Sequence, residues 1–119
     1  MRITIPSIPP SLNSMYLTRG KFRVLSPSAR AWKEDTEALL RTLDLPHMEA
    51  KPLRVTVCVH RNWLTKDGRV KKADVQNREK ALLDVIFPVI GVDDSYVWDL
   101  RLIKVQDTEE KTEIEILAL

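Results

Sequence analysis

The sequence has few residues that hold metals through nitrogen or sulphur, and it has no long apolar segment. Its 119 residues include one cysteine, Cys58, and two histidines, His47 and His60. A single cysteine cannot close an internal disulfide, and no Cys/His group has the spacing of a zinc site. No stretch approaches the roughly 20 apolar residues that span a bilayer, and no secretory signal opens the chain. We therefore expect a cytoplasmic protein that makes no contact with a membrane.

The composition is that of a folded chain with little excess charge. Hydrophobic residues make up 44% and charged residues 30%, and the formal net charge is +2. This length supports one hydrophobic core, so we predict a single domain over residues 1–119. Any nucleic-acid binding must then come from a local basic face, because the net charge is too small to drive it.

The periodicity of apolar residues predicts an α+β fold, with two helices packed on one mixed or antiparallel sheet. Ser26-Pro27 is a helix-start signal, and Asp74 is a candidate cap for the second helix. The predicted strands are 2–5, 53–60, 97–105 and 112–117, and the predicted helices are 27–43 and 75–87. The last two strands are separated by a polar turn and predict a hairpin. Trp98 alternates with Leu100 and Leu102, which predicts that it is buried.

Two segments are rich in basic residues. The first is a long loop at 6–27, with a short hairpin near 21–25, in which Tyr16 is either a core residue or a platform for unpaired bases. The second is the loop before Asp74, where four of the seven residues from 66 to 72 are basic. The predicted nucleic-acid contacts are Tyr16, through stacking of its ring on a base, and the basic residues Arg19, Lys21, Arg23, Lys66, Arg69, Lys71 and Lys72, through the phosphate backbone.

Acidic residues and a lysine follow the second basic loop. Gln76, Lys80 and Asp84 are spaced to form one row on a helix, and Asp93-Asp94 follows after Gly91. Taken singly, these features have plain structural explanations: a helix cap, a solvated ion pair and a turn. Taken together, carboxylates suit a hard ion such as Mg²⁺, and a lysine can stabilise developing negative charge. We expect the carboxylates of Asp74 and Asp94 to lie within about 8 Å of each other, close enough to share such an ion.

This arrangement resembles the RusA family of Holliday junction resolvases. The family has a D-x-D-N-x-x-K run opening a helix, then alanine, an aspartate four residues past the lysine, and a D-D pair before the next strand. The residues that match are Asp74, Asn77, Lys80, Ala81, Asp84, Asp93, Asp94 and Val97. The segment from Pro9 to Tyr16 is similar to the family's P-P-S-x-N-x-x-Y start and adds Asn13 to the predicted DNA contacts.

The resemblance implies a homodimeric endodeoxyribonuclease of bacterial or phage origin that uses Mg²⁺, with Mn²⁺ as a possible substitute. Such an enzyme resolves four-way or branched DNA by paired phosphodiester hydrolysis in recombination and repair. Asp74 and Asp94 are the implied metal ligands together with Asp93, and Lys80 is the implied electrostatic catalyst.

One residue departs from the family pattern. Gln76 occupies the position of the second catalytic aspartate, and an amide offers Mg²⁺ a neutral oxygen without charge. Three explanations are open: a weaker site that uses Gln76, compensation by Glu79 or Asp84, or loss of cleavage with retention of junction binding. The alternative function is therefore a non-cleaving protein that binds branched DNA. A generic RNA-binding α+β domain is a further alternative.

Overall fold

The structure, a computed structural model, describes all residues 1–119 and confirms the α+β class. The elements in chain order are β1 (Arg2–Ile5), α1 (Leu12–Met15), β2 (Tyr16–Arg19), β3 (Phe22–Leu25), α2 (Pro27–Thr42), β4 (Leu53–Arg61), α3 (Glu79–Ile90), β5 (Val97–Gln106) and β6 (Lys111–Ala118). A short 3₁₀ turn, Asp94–Tyr96, precedes β5. None of the helices is both long and apolar enough to cross a membrane.

The chain forms two compact units. The first comprises Met1–Ile8, Lys51–Gln76 and Ser95–Leu119, and it contains the four-stranded sheet. The second comprises Pro9–Ala50 and Asn77–Asp94, and it contains the three helices and a separate two-stranded hairpin. The predicted catalytic residues are divided between these units: Asp74 and Gln76 belong to the first, while Lys80, Asp93 and Asp94 belong to the second.

The sheet of the first unit is mixed and has the strand order β1-β6-β4-β5. β4 lies antiparallel to β6 and parallel to β5. The alternating apolar residues of β4 are buried as the sequence predicts: Leu53, Val55, Val57 and Val59. Ile114 and Ile116 of β6 stand opposite Val57 and Val55 and complete the same buried face.

The predicted hairpin of the last two strands is wrong. β5 and β6 are neighbours in sequence, but β4 lies between them in the sheet. The apolar residues of β4 are 1% exposed or less, whereas β5 keeps three of its large apolar residues at 40% exposure or more. The most apolar strand takes an inner position because there it can be covered most completely.

The segment predicted as a long loop with a short hairpin near 21–25 contains more regular structure than expected. Tyr16–Arg19 and Phe22–Leu25 pair as an antiparallel hairpin, and α1 precedes them. The predicted start of α2 is confirmed: the Ser26 side chain accepts a hydrogen bond from the Ala29 amide, and proline follows in the first turn. This cap satisfies one of the amides that a helix leaves unpaired at its N-terminus.

The second main helix begins four residues later than predicted, at Glu79. Asn77 has a φ of +65°, a left-handed conformation that cannot belong to a right-handed helix. Asp74 is therefore not its cap; Arg78 occupies that position without a side-chain capping bond. Because Gln76 also precedes the helix, the predicted row of Gln76, Lys80 and Asp84 is reduced to its last two members.

Candidate functional site

Lys80 is the centre of a charged group at the start of α3. Its ammonium donates a hydrogen bond to Asp84 Oδ1 at 2.9 Å, so the predicted i,i+4 pair is present. That hydrogen bond, the charge of Asp84, and then the charge of Asp94 raise the pKa of Lys80 above its usual value. Tyr16 contributes to the same shift. The fold of the second unit thus brings Lys80, Asp84, Asp94 and Tyr16 close enough to interact, and the net interaction favours the charged lysine.

The chain after α3 supplies two more acidic residues to the same unit. Gly91 ends the helix with a φ of +74°, a conformation that glycine adopts without strain. Asp94 then opens the 3₁₀ turn. Asp84, Asp93 and Asp94 line one hollow of about 440 Å³, together with apolar residues from the end of α3. This hollow is open and acidic, as a site for a hydrated cation requires. No three His, Cys, Asp or Glu side chains, however, are grouped closely enough to hold a metal ion by themselves.

Glu79 presents an unsatisfied carboxylate oxygen. Its Oε2 is buried and has no hydrogen-bond partner. A buried carboxylate oxygen is costly unless a hydrogen-bond donor or a cation meets it. From the sequence, Glu79 was expected on a flank of the second helix. It was one of the residues that could compensate for the negative charge missing at Gln76.

Asp74 and Gln76 lie in an irregular segment of the first unit and are both exposed, while Val75 between them is buried. Lys104 of β5 fixes this segment: its ammonium donates to the carbonyl oxygen of Ala73 at 2.6 Å. The same ammonium lies 4.8 Å from the centre of the Trp63 ring. Sequence reasoning missed Lys104, because it is 31 residues from Ala73 and belongs to no motif.

The basic loop before Asp74 is a compact turn in the first unit. The Thr65 amide donates to the Arg69 carbonyl at 2.7 Å, and the Lys71 amide donates to the Trp63 carbonyl at 2.9 Å. Lys66, Arg69 and Lys72 are exposed, and Lys71 is half-buried. The loop therefore presents several positive charges on an ordered backbone, directly before Asp74 in the chain.

The other predicted DNA contacts lie in the second unit. Arg19, Lys21 and Arg23 are exposed on the β2–β3 hairpin, and Asn13 is exposed on α1. Tyr16 is half-buried against a small apolar cluster, and the guanidinium of Arg23 covers its ring at 4.8 Å. One face of Tyr16 is thus already occupied, which favours the core alternative over base stacking for this residue.

The separation of Asp74 and Asp94 stays a prediction, as do the roles of the individual residues.

A family model described as Endodeoxyribonuclease RusA matches residues 6–117. None of the curated proteins matches the chain. The family match covers nearly the whole chain and includes both segments that carry the motif residues. The chain belongs to the RusA family of endodeoxyribonucleases.

Proposed function

We propose that this protein is a metal-dependent endodeoxyribonuclease that resolves four-way DNA junctions by paired hydrolysis of phosphodiesters. The observation that carries the proposal is the charged group at the start of α3. Lys80, which matches the lysine of the family motif, forms an ion pair with Asp84. It also interacts electrostatically with Asp94, which matches one of the family's two adjacent aspartates. The ammonium of Lys80, held among these carboxylates, can stabilise the negative charge that develops at a scissile phosphate.

The residues present fit a magnesium ion. Mg²⁺ is typically held by one or two carboxylates together with water and substrate phosphates, so a complete protein cage is not required. Asp74 and Asp94 would hold it, with Asp93 beside Asp94 and a neutral oxygen available from Gln76. When bound, the ion supplies an activated water and neutralises phosphate charge, and Mn²⁺ would serve the same role. The unsatisfied oxygen of Glu79 supports the view that this carboxylate replaces the charge missing at Gln76.

The substrate also explains why a homodimer is proposed. A four-way junction has approximate two-fold symmetry, and its resolution needs cuts in two opposing strands. A two-fold dimer places two identical sites at symmetric positions. A chain of 119 residues with one site per copy cannot make both cuts at once.

The second candidate function is junction binding without cleavage, and Gln76 is the observation that favours it. The experiment that separates the two is incubation of a synthetic four-way junction with the protein in Mg²⁺, in Mn²⁺ and in chelator. We expect paired nicks in either metal and none in chelator. Binding without nicks in any condition would support the second candidate. Failure to bind the junction, with binding to structured RNA, would overturn both.

Gln76→Asp is expected to increase cleavage or to lower the Mg²⁺ concentration that gives half-maximal rate. The aspartate restores a charged ligand at a position where the amide offers only a neutral oxygen. The measurement is a Mg²⁺ titration of single-turnover cleavage on one junction.

Glu79→Gln is the second variant in that titration, because it removes one negative charge and keeps the size of the side chain. If Glu79 compensates for Gln76, Glu79→Gln raises the required Mg²⁺ concentration, and the added Gln76→Asp change lowers it again. A Mg²⁺ requirement that neither variant alters would exclude both residues from the metal site.

Replacing Lys71 and Lys72 together by alanine is expected to weaken binding to junctions of every sequence. If about two phosphate contacts per subunit are lost, the slope of log affinity against log salt falls by about two units per subunit. Binding measured by fluorescence anisotropy between low and moderate salt gives both quantities.

The control for the lysine variant is Lys33→Ala with Arg41→Ala. It removes the same charge from α2, where both residues are paired with Glu37. We expect its affinity and salt slope to match the parent protein. Equal effects in the two double variants would mean that net charge, and not the loop before Asp74, governs DNA binding.

A further inference from the structure

Phe22, beside the turn of the β2–β3 hairpin, is the most exposed large apolar side chain of the protein. Its exposed fraction is 74%, and that of Trp98 on β5 is 72%. The prediction that Trp98 is buried is therefore wrong. The two aromatic residues differ in their neighbours: Phe22 lies between Lys21 and Arg23 in the chain, whereas Trp98 precedes Asp99. An exposed ring among positive charges is typical of surfaces that bind unpaired nucleic acid.

The inner face of the hairpin is already covered by the protein. It carries Tyr16, Thr18, Arg23 and Leu25, which are paired across the two strands. Tyr16 and Leu25 pack against the buried apolar cluster of the second unit, and the Arg23 guanidinium lies 4.8 Å from the centre of the Tyr16 ring. This face therefore has no free ring to offer to a ligand.

The outer hairpin face consists of Leu17, Arg19, Phe22 and Val24. Arg19 stands opposite Phe22, and Leu17 stands opposite Val24, so the four side chains share one side of the hairpin. Leu17 is 42% exposed. Below Phe22, this face continues into a groove of about 300 Å³ that reaches Arg30 at the start of α2. The lining of the groove includes Arg19 and Arg30 and no acidic residue. An exposed ring beside two arginines matches the combination of base and phosphate in a nucleotide.

The turn of the hairpin holds Phe22 in place. Only Gly20 and Lys21 connect the two strands, and Gly20 has a φ of +61°. A two-residue turn between antiparallel strands needs such a positive φ, which glycine adopts without strain. The Phe22 backbone is paired directly beside this turn, so binding need not order a flexible loop first.

We propose that the outer hairpin face binds a nucleotide whose base has lost a stacking neighbour at a DNA branch point. The base stacks on the Phe22 ring, and Arg19 and Arg30 contact the flanking phosphates. Phenylalanine has no hydrogen-bond donor or acceptor, so it cannot read the edges of bases in a groove. It can only meet the face of a base, and these faces are covered inside a duplex. The site is therefore selective for DNA structure and tolerant of sequence.

This inference rests on the proposed function in one respect: a branched DNA substrate supplies the nucleotide. Binding to the outer hairpin face does not require hydrolysis. All measurements of binding are therefore made in chelator, separately from cleavage, and either property can fail without the other.

The test compares the parent protein with Phe22→Ala on two single strands of about 15 nucleotides, one of thymidine and one of abasic residues. Both strands carry the same phosphates, and only the first carries bases. We expect Phe22→Ala to lower the affinity for the thymidine strand by roughly tenfold or more and to leave the affinity for the abasic strand within about twofold. Fluorescence anisotropy measures all four affinities. An equal loss on both strands, or no loss on either, would overturn the stacking.

Three further variants separate stacking from a simple apolar contact. Phe22→Trp keeps an aromatic ring and should bind the thymidine strand at least as tightly as the parent. Phe22→Leu keeps an apolar side chain without a ring and should bind as weakly as Phe22→Ala. Leu43→Ala is the control, because it truncates another exposed apolar residue of the same unit and should bind like the parent. A Phe22→Leu variant with the parent's affinity would overturn the proposal.

The role of the two arginines is tested by replacing Arg19 and Arg30 together by alanine. If each contacts one phosphate, affinity falls on both strands, and the slope of log affinity against log salt falls by about 1.4 units. An unchanged slope would exclude them from the site.

The same comparison on a four-way junction connects the site to branched DNA. We expect Phe22→Ala to weaken binding to a junction with normal bases at the branch point, and not to one with abasic residues there. A parent that depends on Phe22 in this way but does not cut junctions in Mg²⁺ would overturn the proposed function alone. A parent that cuts junctions while Phe22→Ala binds both junctions with the parent's affinity would overturn this inference alone.

Discussion

We expect Asp74→Asn to abolish junction cleavage and to leave junction binding intact. The substitution keeps the size of the side chain and removes a charge that a divalent ion requires. In the proposed mechanism a bound ion supplies several kcal/mol of transition-state charge stabilisation, so we expect the cleavage rate to fall by roughly a thousandfold or more. The substitution leaves the predicted phosphate contacts of the basic loops unchanged, and we expect the affinity to stay within about twofold of the parent. Single-turnover cleavage in Mg²⁺ and gel-shift binding in chelator measure the two effects.

Asp67→Asn is the matched control for Asp74→Asn. Asp67 lies in the same loop region and is exposed, so the variant loses the same charge seven residues earlier in the chain. We expect it to cleave at nearly the parent rate. If both variants lose activity equally, or if Asp74→Asn cleaves normally, Asp74 is not a metal ligand. A crystal structure with Mn²⁺ that placed Asp74 and Asp94 far apart would lead to the same conclusion.

Lys80→Met is expected to reduce the cleavage rate by roughly a hundredfold to a thousandfold, as loss of one electrostatic stabiliser of a transition state commonly does. Methionine keeps the unbranched apolar stem of lysine and removes its charge and its hydrogen-bond donors. The variant also leaves Asp84 without its ion-pair partner at the start of α3. The measurement is single-turnover cleavage with saturating Mg²⁺. If additional Mg²⁺ restored the rate, the substitution would have weakened metal binding and not the stabilisation of the transition state.

The raised pKa of Lys80 gives this prediction a pH dependence. The hydrogen bond to Asp84 and the nearby carboxylates favour the charged lysine, so its charge persists to a higher pH than usual. The decline in the cleavage rate of the parent from loss of this charge should therefore begin at a higher pH than the ordinary pKa of lysine would give. Arg41→Met removes a cation from a similar i,i+4 pair on α2 and should leave the rate unchanged. If the rate of the parent fell near neutral pH and the rate of Lys80→Met did not, the electrostatic role of Lys80 would be contradicted.

Local patterns predicted the elements that depend on local causes. The alternation of β4 and the Ser26-Pro27 start of α2 are confirmed, because burial period and capping are read over a few residues. The pair of Lys80 and Asp84 is confirmed for the same reason, since four residues make one turn of helix. The start of α3 was misplaced because Asn77 adopts a left-handed conformation, which asparagine tolerates well but does not always adopt.

Contacts distant in the chain required the tertiary structure. The insertion of β4 between β5 and β6 reflects competition among strands for the buried centre of the sheet, and no adjacent pair of strands reveals it. Three other features also depend on how distant segments pack: the hydrogen bond from Lys104 to the Ala73 carbonyl, the unsatisfied oxygen of Glu79 and the exposure of Trp98. The sequence by itself determined the α+β class, the family motif and the order of its charged residues, because these follow from residue type and spacing. Only the tertiary structure decided which of those residues meet and which apolar side chains stay exposed, because both depend on how distant segments pack.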